Sequence, residues 1–394
     1  MSDNNILEPI ADAIVDAGKV IIKHINKLLG LNTLDFKQLF VELNLCNHSK
    51  QYPRLDNVIR EEYFTIYRFK VPVGLCADDF KKHTEAIEHF MGKEDLIIEK
   101  NNYYVDIRIL DSLPKYEYDI QLHKRDDFKI PLGYDLNNNK LILWDIISNN
   151  NCHCYIAGSS GGGKSITLRL ILSHLVNSKS KRDIEFSIIN TKRVDLKDFQ
   201  HCKHTRNYMT GTDGVEEFLE NELEEMERRY LLLEKADCDD LHEYRAKGNR
   251  IPYRLIVVEE ISSYKGNKDY QRAIELLASQ GRGAGMLLLL VTQLPSHEIM
   301  PNTIKCNINT TIGLKTKDAI RSEIIAGEDA DLHKLKGNGH SKLFDGSHDG
   351  AEYQGLYISK DTMKSIIRAN SKQNKRVASA GTLTTQGDNN KIGK

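Results

Sequence analysis

Three short stretches carry residue types that can do chemistry together. The first, Gly158-Ser159-Ser160-Gly161-Gly162-Gly163-Lys164-Ser165-Ile166, fits the pattern G-x-x-x-x-G-K-[ST]. Glycines there let backbone N–H groups turn inward around phosphate oxygens, and a helix leaving the loop at Ile166 adds positive potential at its N-terminus. Lys164 then reaches the β- and γ-phosphates, and Ser165 can ligate Mg2+. The second stretch, Arg254-Leu255-Ile256-Val257-Val258-Glu259-Glu260, is an apolar run ending in two carboxylates. Paired acids at the end of a buried strand are costly unless a cation or a water uses them. Glu259 is therefore assigned to Mg2+, mostly through water, and Glu260 to the base that orients and deprotonates an attacking water. The third, Met286 to Val291 followed by Thr292-Gln293, places an amide where it can touch a γ-phosphate or its water and report hydrolysis. The catalytic set expected from these stretches is Lys164, Glu259, Glu260 and Gln293, with ATP and Mg2+ as cofactors.

Such residues need strands that end together and a helix that begins there. The run Cys154-Tyr155-Ile156-Ala157 reads as a strand entering the glycine loop, and Ile166 to Val176 as a helix leaving it. Beyond it, Ile184–Ile189, Arg254–Val258, Met286–Val291 and Thr310–Leu314 read as strands, alternating with helices over Val215–Ala236 and Ala273–Gln280. Alternation of this kind predicts an α/β fold with a mostly parallel sheet, helices on both faces, and ligands at the carboxyl ends of the strands. We place this unit at 129–365. Upstream, alternation over Phe64–Val71, a helix over Asp78–Met91 and strands at Leu96–Ile98 and Tyr104–Ile109 predict a small α+β domain at 60–128, its last strand ending near Leu113-Pro114. Apolar residues at Ile6, Ile10, Ile14, Ala17, Ile21, Ile25 and Leu28, with a second short helix over Leu34–Leu43, predict an amphipathic helical hairpin at 1–48. Lys19, Lys23, His24 and Lys27 leave room there for a membrane-surface or protein partner. The Ser-, Thr-, Gly- and Asn-rich segment 366–394 reads as a disordered tail.

Bulk properties narrow the class. The 394 residues are 40% hydrophobic and 28% charged, which excludes wholesale disorder. A net charge of −1 excludes a chain that is basic all over, so any nucleic-acid contact must come from local clusters. The seven scattered cysteines do not read as a disulfide framework, and a reducing cytoplasm fits them best. Cys152-His153-Cys154 and His201-Cys202-Lys203-His204 lack the spacing of zinc sites and read as strand and loop residues. No apolar run of about 18 residues and no cleavable signal stand in the sequence, so the expected location is cytoplasmic, with room for a peripheral membrane contact.

The order of the motifs is specific. The phosphate loop, then Glu225-Met226-Glu227-Arg228-Arg229-Tyr230, then Val257-Val258-Glu259-Glu260, then Gly281-Arg282-Gly283-Ala284-Gly285-Met286 leading to Val291-Thr292-Gln293, resembles the FtsK/SpoIIIE motors of the P-loop NTPase class, RecA/ASCE-like, in a short soluble version as found on mobile elements. Thr65 to Gly74 and Ile130 to Asp135 resemble the smaller domain and linker strand that precede such motors, so the likeness covers about residues 60 to 360. The resemblance implies a homohexameric ring that threads double-stranded DNA and hydrolyses ATP at subunit interfaces. It also implies an arginine supplied by the neighbouring subunit, which Arg321 matches, with Arg282 as rival. Pore lysines are expected at Lys265, Lys268 and Lys305. Three departures stand out: Glu259 replaces the usual aspartate, Asn190-Thr191-Lys192 replaces Asp-Pro-Lys, and neither a transmembrane region nor a winged helix is present in the sequence. The leading expectation is a translocase for DNA transfer, packaging or segregation. The alternatives are a HerA-like helicase or end-processing motor and a nucleotide-switched scaffold that does not translocate.

Overall fold

The computed structural model describes residues 34–93, 96–148, 151–293 and 296–371. It divides into two compact units, one up to Ser112 and one from Leu113 onward.

The first unit holds α1 (Phe36–Glu42), β1 (Arg54–Arg60), β2 (Phe64–Lys70), α2 (Ala77–Lys81), α3 (Thr84–Met91), β3 (Ile97–Asn101) and β4 (Tyr104–Leu110). Its antiparallel sheet has the order β1-β2-β4-β3. An aromatic core closes it: Phe69 meets Phe36 and Phe40 edge-on at 5.0 and 5.3 Å, and Phe80 meets Phe40 at 5.5 Å. The second helix read into the hairpin at 1–48 is α1, which buries Phe36, Leu39 and Phe40 within the small unit. The first expected helix, Asn5 to Leu29, lies outside the described residues. The unit also starts and ends earlier than 60–128. Its strand β1 is almost wholly exposed and lacks apolar alternation, so periodicity gave no sign of it.

The second unit is built on ten strands: β5 (Lys129–Asp135), β6 (Leu141–Asp145), β7 (Cys154–Ala157), β8 (Ile184–Asn190), β9 (Thr205–Thr210), β10 (Tyr253–Glu259), β11 (Met286–Thr292), β12 (Thr310–Leu314), β13 (His340–Phe344) and β14 (Asp349–Gly355). Their order is β6-β5-β14-β13-β12-β7-β11-β10-β8-β9. From β12 to β9 every pairing is parallel. From β12 to β6 every pairing is antiparallel, an extension that strand–helix alternation did not announce.

The central parallel runs, Cys154–Ala157 in β7, 255–258 in β10 and 286–291 in β11, are apolar at every position because both faces are covered. Along β10, Leu255 and Val257 face the core under α4 (Lys164–Ser178), while Ile256 and Val258 face the core under α5 (Val215–Lys235) and α7 (Lys268–Gln280). β7 and β11 divide in the same way, with Ile156 and Leu289 on one side and Tyr155 and Leu288 on the other. Four shorter or later helices complete the unit among the described residues: α6 (Leu241–Ala246), α8 (Asn302–Lys305), α9 (Ala319–Ala326) and α10 (Lys360–Ala369). Because α10 buries Met363, Ile366 and Ile367, the segment 366–369 is packed helix and not tail. No helix among the described residues is long and apolar enough to cross a membrane.

Candidate nucleotide site

Register brings the chemical residues together. Val258 lies opposite Ile189 and Leu290, Thr292 opposite Ala157, and Ala157 opposite Gly313, so β8, β10, β11, β7 and β12 end side by side. The glycine loop leaves β7 at this edge. Gly161 and Gly163 hold φ of 80° and 119°, backbone that a side chain rarely tolerates. Gly163 is also hemmed in: a Cβ there would stand 3.0 Å from Gly339 Cα. The Ser159 N–H is anchored on the Lys315 carbonyl at 2.7 Å, and α4 starts at Lys164.

Lys164 is buried and folds over the loop, donating to the Gly158 and Ser159 carbonyls at 2.5 and 2.8 Å. Burial lowers its pKa to about 8, with Glu260 opposing and Lys192 adding to the drop. The loop thus holds a buried cation and turned-in backbone at the start of a fifteen-residue helix, which is the donor set a phosphate chain requires.

Glu259 and Glu260 leave the same strand in opposite electrostatic states. Burial, followed by the neighbouring Asp195 carboxyl, raises Glu259 to about 7, although the Lys192 N–H reaches its Oε2 at 3.3 Å. Glu260 sits in the left-handed region at φ 61°. Burial would raise its pKa as well, but Ser262, Lys192 and the Gln293 N–H outweigh that and hold it below the usual value. The Lys192 ammonium lies 3.0 Å from its Oε2, and Thr292 Oγ1 donates to its Oε1 at 3.0 Å. Gln293 in turn accepts the Ser160 hydroxyl on Oε1 at 2.7 Å. An ionised carboxylate, a lysine and an amide therefore meet at the phosphate loop.

The loop opens on a cleft of about 1060 Å³. One wall is Ser160, Lys164, Ser165, Ile166, Lys192, Asp195 and Gln293, and the other carries Pro114, Tyr116, Leu356 and Tyr357. A polar end and an apolar, aromatic end suit a nucleotide's phosphates and base. Among the described residues no group of three or more His, Cys, Asp or Glu is placed to hold a metal. A Mg2+ ion here would take Ser165, Glu259 and phosphate oxygens, a donor set that fits its preference for oxygen and retained water.

Sequence reasoning missed four parts of this site. Lys192, noted in sequence only as the end of Asn190-Thr191-Lys192, and Asp195, which no motif flags, stand in the loop after β8; Ser165 Oγ donates to Asp195 Oδ2 at 2.9 Å. A second glycine loop, Lys336-Gly337-Asn338-Gly339, packs on the first, with Gly339 N–H on the Gly162 carbonyl at 2.9 Å. Its signal was legible in Gly-Asn-Gly, since residues 337–339 all take positive φ. The aromatic wall comes from Tyr116 and Tyr357, 241 positions apart in the chain.

Other expected residues lie elsewhere. Arg321, in the first turn of α9, pairs with Asp318 and does not line the cleft. Lys265 pairs with Glu298. Lys268 is exposed at the start of α7. Lys305 is corrected: it is half-buried, donates to the Ile324 carbonyl at 2.7 Å, and burial lowers its pKa, so it ties α8 to α9 and is not displayed.

The helix read as distinctive has a structural explanation. Glu225 bonds both Arg228 and Arg229, and the buried Arg229 donates to the Ala284 carbonyl at 3.0 Å while the Tyr230 hydroxyl donates to the Gln280 carbonyl at 2.5 Å. That clamps α5 to the turn entering β11, whose last residue, Thr292, precedes Gln293. Residues 119–282 match the model of the FtsK/SpoIIIE family. This segment belongs to that family. The chain is 32% identical over 227 residues to the DNA translocase FtsK of Borreliella burgdorferi, covering 55% of this chain and 28% of that protein. It is 27% identical over 246 residues to the DNA translocase SftA of Bacillus subtilis, covering 60% and 25%. The chain thus spans about a quarter of the length of these relatives. The pCW3 conjugation coupling protein TcpA, solved as a monomer with ATPγS, superposes with a TM-score of 0.59 at 19% identity over 84% of this chain and 97% of that one. The ATPase 2 and 3 region of EssC from Geobacillus thermodenitrificans gives 0.59 at 17% identity over 69% and 53%. These likenesses show a P-loop ATPase fold.

Proposed function

We propose that the chain hydrolyses ATP with Mg2+ and uses the cycle to translocate double-stranded DNA as a homohexameric ring, in DNA transfer or segregation. The observation that carries the reading is the convergence of Lys164, Glu260 and Gln293 on one phosphate loop at the end of adjacent parallel strands. Lys164 moves from the loop carbonyls to the phosphates when nucleotide enters. Ser165 and Glu259 would hold Mg2+, which would supply positive charge against the phosphate oxygens. Glu260, kept ionised by Lys192 and Ser262, accepts the proton of the attacking water, and Gln293 orients that water. The relatives named DNA translocases support duplex DNA as the cargo. Because Arg321 does not line its own cleft, it is offered to the cleft of a neighbouring copy. The expected cytoplasmic location, with a membrane-surface or protein partner at the N-terminal helices, belongs to the same proposal.

The test is ATP hydrolysis by the purified chain with and without kilobase duplex, beside Lys164→Ala and Glu260→Gln. DNA-stimulated turnover that both substitutions abolish supports the motor. One observation favours a second reading: Glu259 holds its proton up to about pH 7 beside Asp195, which disfavours metal capture. Tight ATP binding without DNA-dependent turnover would select that reading, a nucleotide-switched scaffold.

A further inference from the structure

Asp195 is the acid in the cleft to which no motif gives a role. Arg169 holds it twice: Nη2 reaches Oδ1 at 2.6 Å, and Nε reaches the Asp195 carbonyl at 3.3 Å. Arg169 lies one turn after Ser165 on α4, so both reach Asp195 from the same face of the helix. With Oδ1 taken by Arg169, Oδ2 accepts the Ser165 hydroxyl at 2.9 Å. A serine hydroxyl has one proton and two lone pairs. Once its proton is committed to Asp195, its lone pairs are left for a cation.

We infer that Asp195 is the positioning residue of the magnesium site, accepting the Ser165 hydrogen bond so that the hydroxyl presents its lone pairs to the ion. The inference rests on the Mg2+–ATP reading above. Arg169 is the counter-charge that keeps Asp195 in place whether or not the ion is present. Outer partners of this kind tune metal affinity by about 10- to 100-fold.

The experiment uses the full chain with Mn2+ as probe. Mn2+ affinity of the chain–ATP complex is read by electron paramagnetic resonance, and metal-free ATP affinity by equilibrium dialysis in EDTA. Asp195→Asn, which preserves shape, and Asp195→Ala are each expected to weaken Mn2+ binding about 10- to 100-fold, leaving metal-free ATP binding unchanged. In a Ser165→Ala background the same substitutions are expected to cost far less, because the hydroxyl they orient is gone. Unaltered Mn2+ affinity in both variants, equal loss of metal-free ATP binding, or full additivity with Ser165→Ala overturns the inference. A parent chain that binds no ATP at all instead overturns the nucleotide reading, and this inference with it.

Discussion

The Ser160 hydroxyl donates to Gln293 Oε1 at 2.7 Å, joining the phosphate loop to the end of β11 across 133 positions of sequence. The same Gln293 gives its backbone N–H to Glu260 Oε1 at 3.2 Å. A change of state at the phosphate loop therefore reaches the proposed base through one residue. Replacing Gln293 by Ala removes the amide and keeps the backbone bond. We expect kcat to fall about 10²-fold, the loss typical of one positioned donor, with ATP affinity nearly unchanged. Steady-state hydrolysis beside nucleotide-binding isotherms checks it, and a rise in Kd with unchanged kcat would contradict it.

Glu260→Gln keeps the acceptor oxygen for Thr292 and removes the charge that Lys192 faces. General-base catalysis contributes about 10²- to 10⁴-fold. A kcat loss in that range with retained ATP binding is expected in single-turnover assays.

Glu259 gives stability a pH dependence with a defined sign. Its pKa is raised from 4.5 to about 7, by burial first and by Asp195 next. Between those values the folded chain holds a proton that the unfolded chain has released. Stability therefore falls as pH rises from 4.5 to about 7 and levels off above, a contribution of about 3 kcal/mol. Denaturant midpoints across that range should show the slope, and Glu259→Gln should remove it.

Gly163→Ala forces a side chain onto a φ of 119° with Gly339 backbone 3.0 Å away. Backbone strain of this type costs about 1–3 kcal/mol. A lower Tm accompanied by weakened ATP binding is the expected result, and Gly248→Ala, also at positive φ but with open space around it, separates the backbone strain from the contact with Gly339.

Arg229 is 1% exposed, with Glu225 at 2.8 Å and Glu185 at 3.5 Å. Arg229→Ala leaves buried carboxylates with one cation fewer, so a loss of about 3–5 kcal/mol in urea denaturation is expected. No substitution in the clamp touches the cleft directly, so ATP affinity at low temperature should survive.

What the sequence alone determined is whatever local periodicity and turn chemistry encode. Residues 154–176 read as strand, glycine loop and helix, because a four-residue apolar run, a loop with four glycines and a following helical pattern are adjacent in the chain. The apolar runs ending at Glu259 and Gln293 were legible for the same reason: a strand buried on both faces admits few polar residues until it reaches the sheet edge. Only the tertiary structure decided which strand ends meet. The order β12-β7-β11-β10-β8 is set by packing between segments far apart in sequence, and it alone puts Lys192 beside Glu260 and Asp195 beside Ser165. The settings of Lys305 and of α1 were not legible for a related reason. A lysine and an apolar helix face look alike in sequence whether they meet solvent or protein, and the side chains that cover them come from distant parts of the chain.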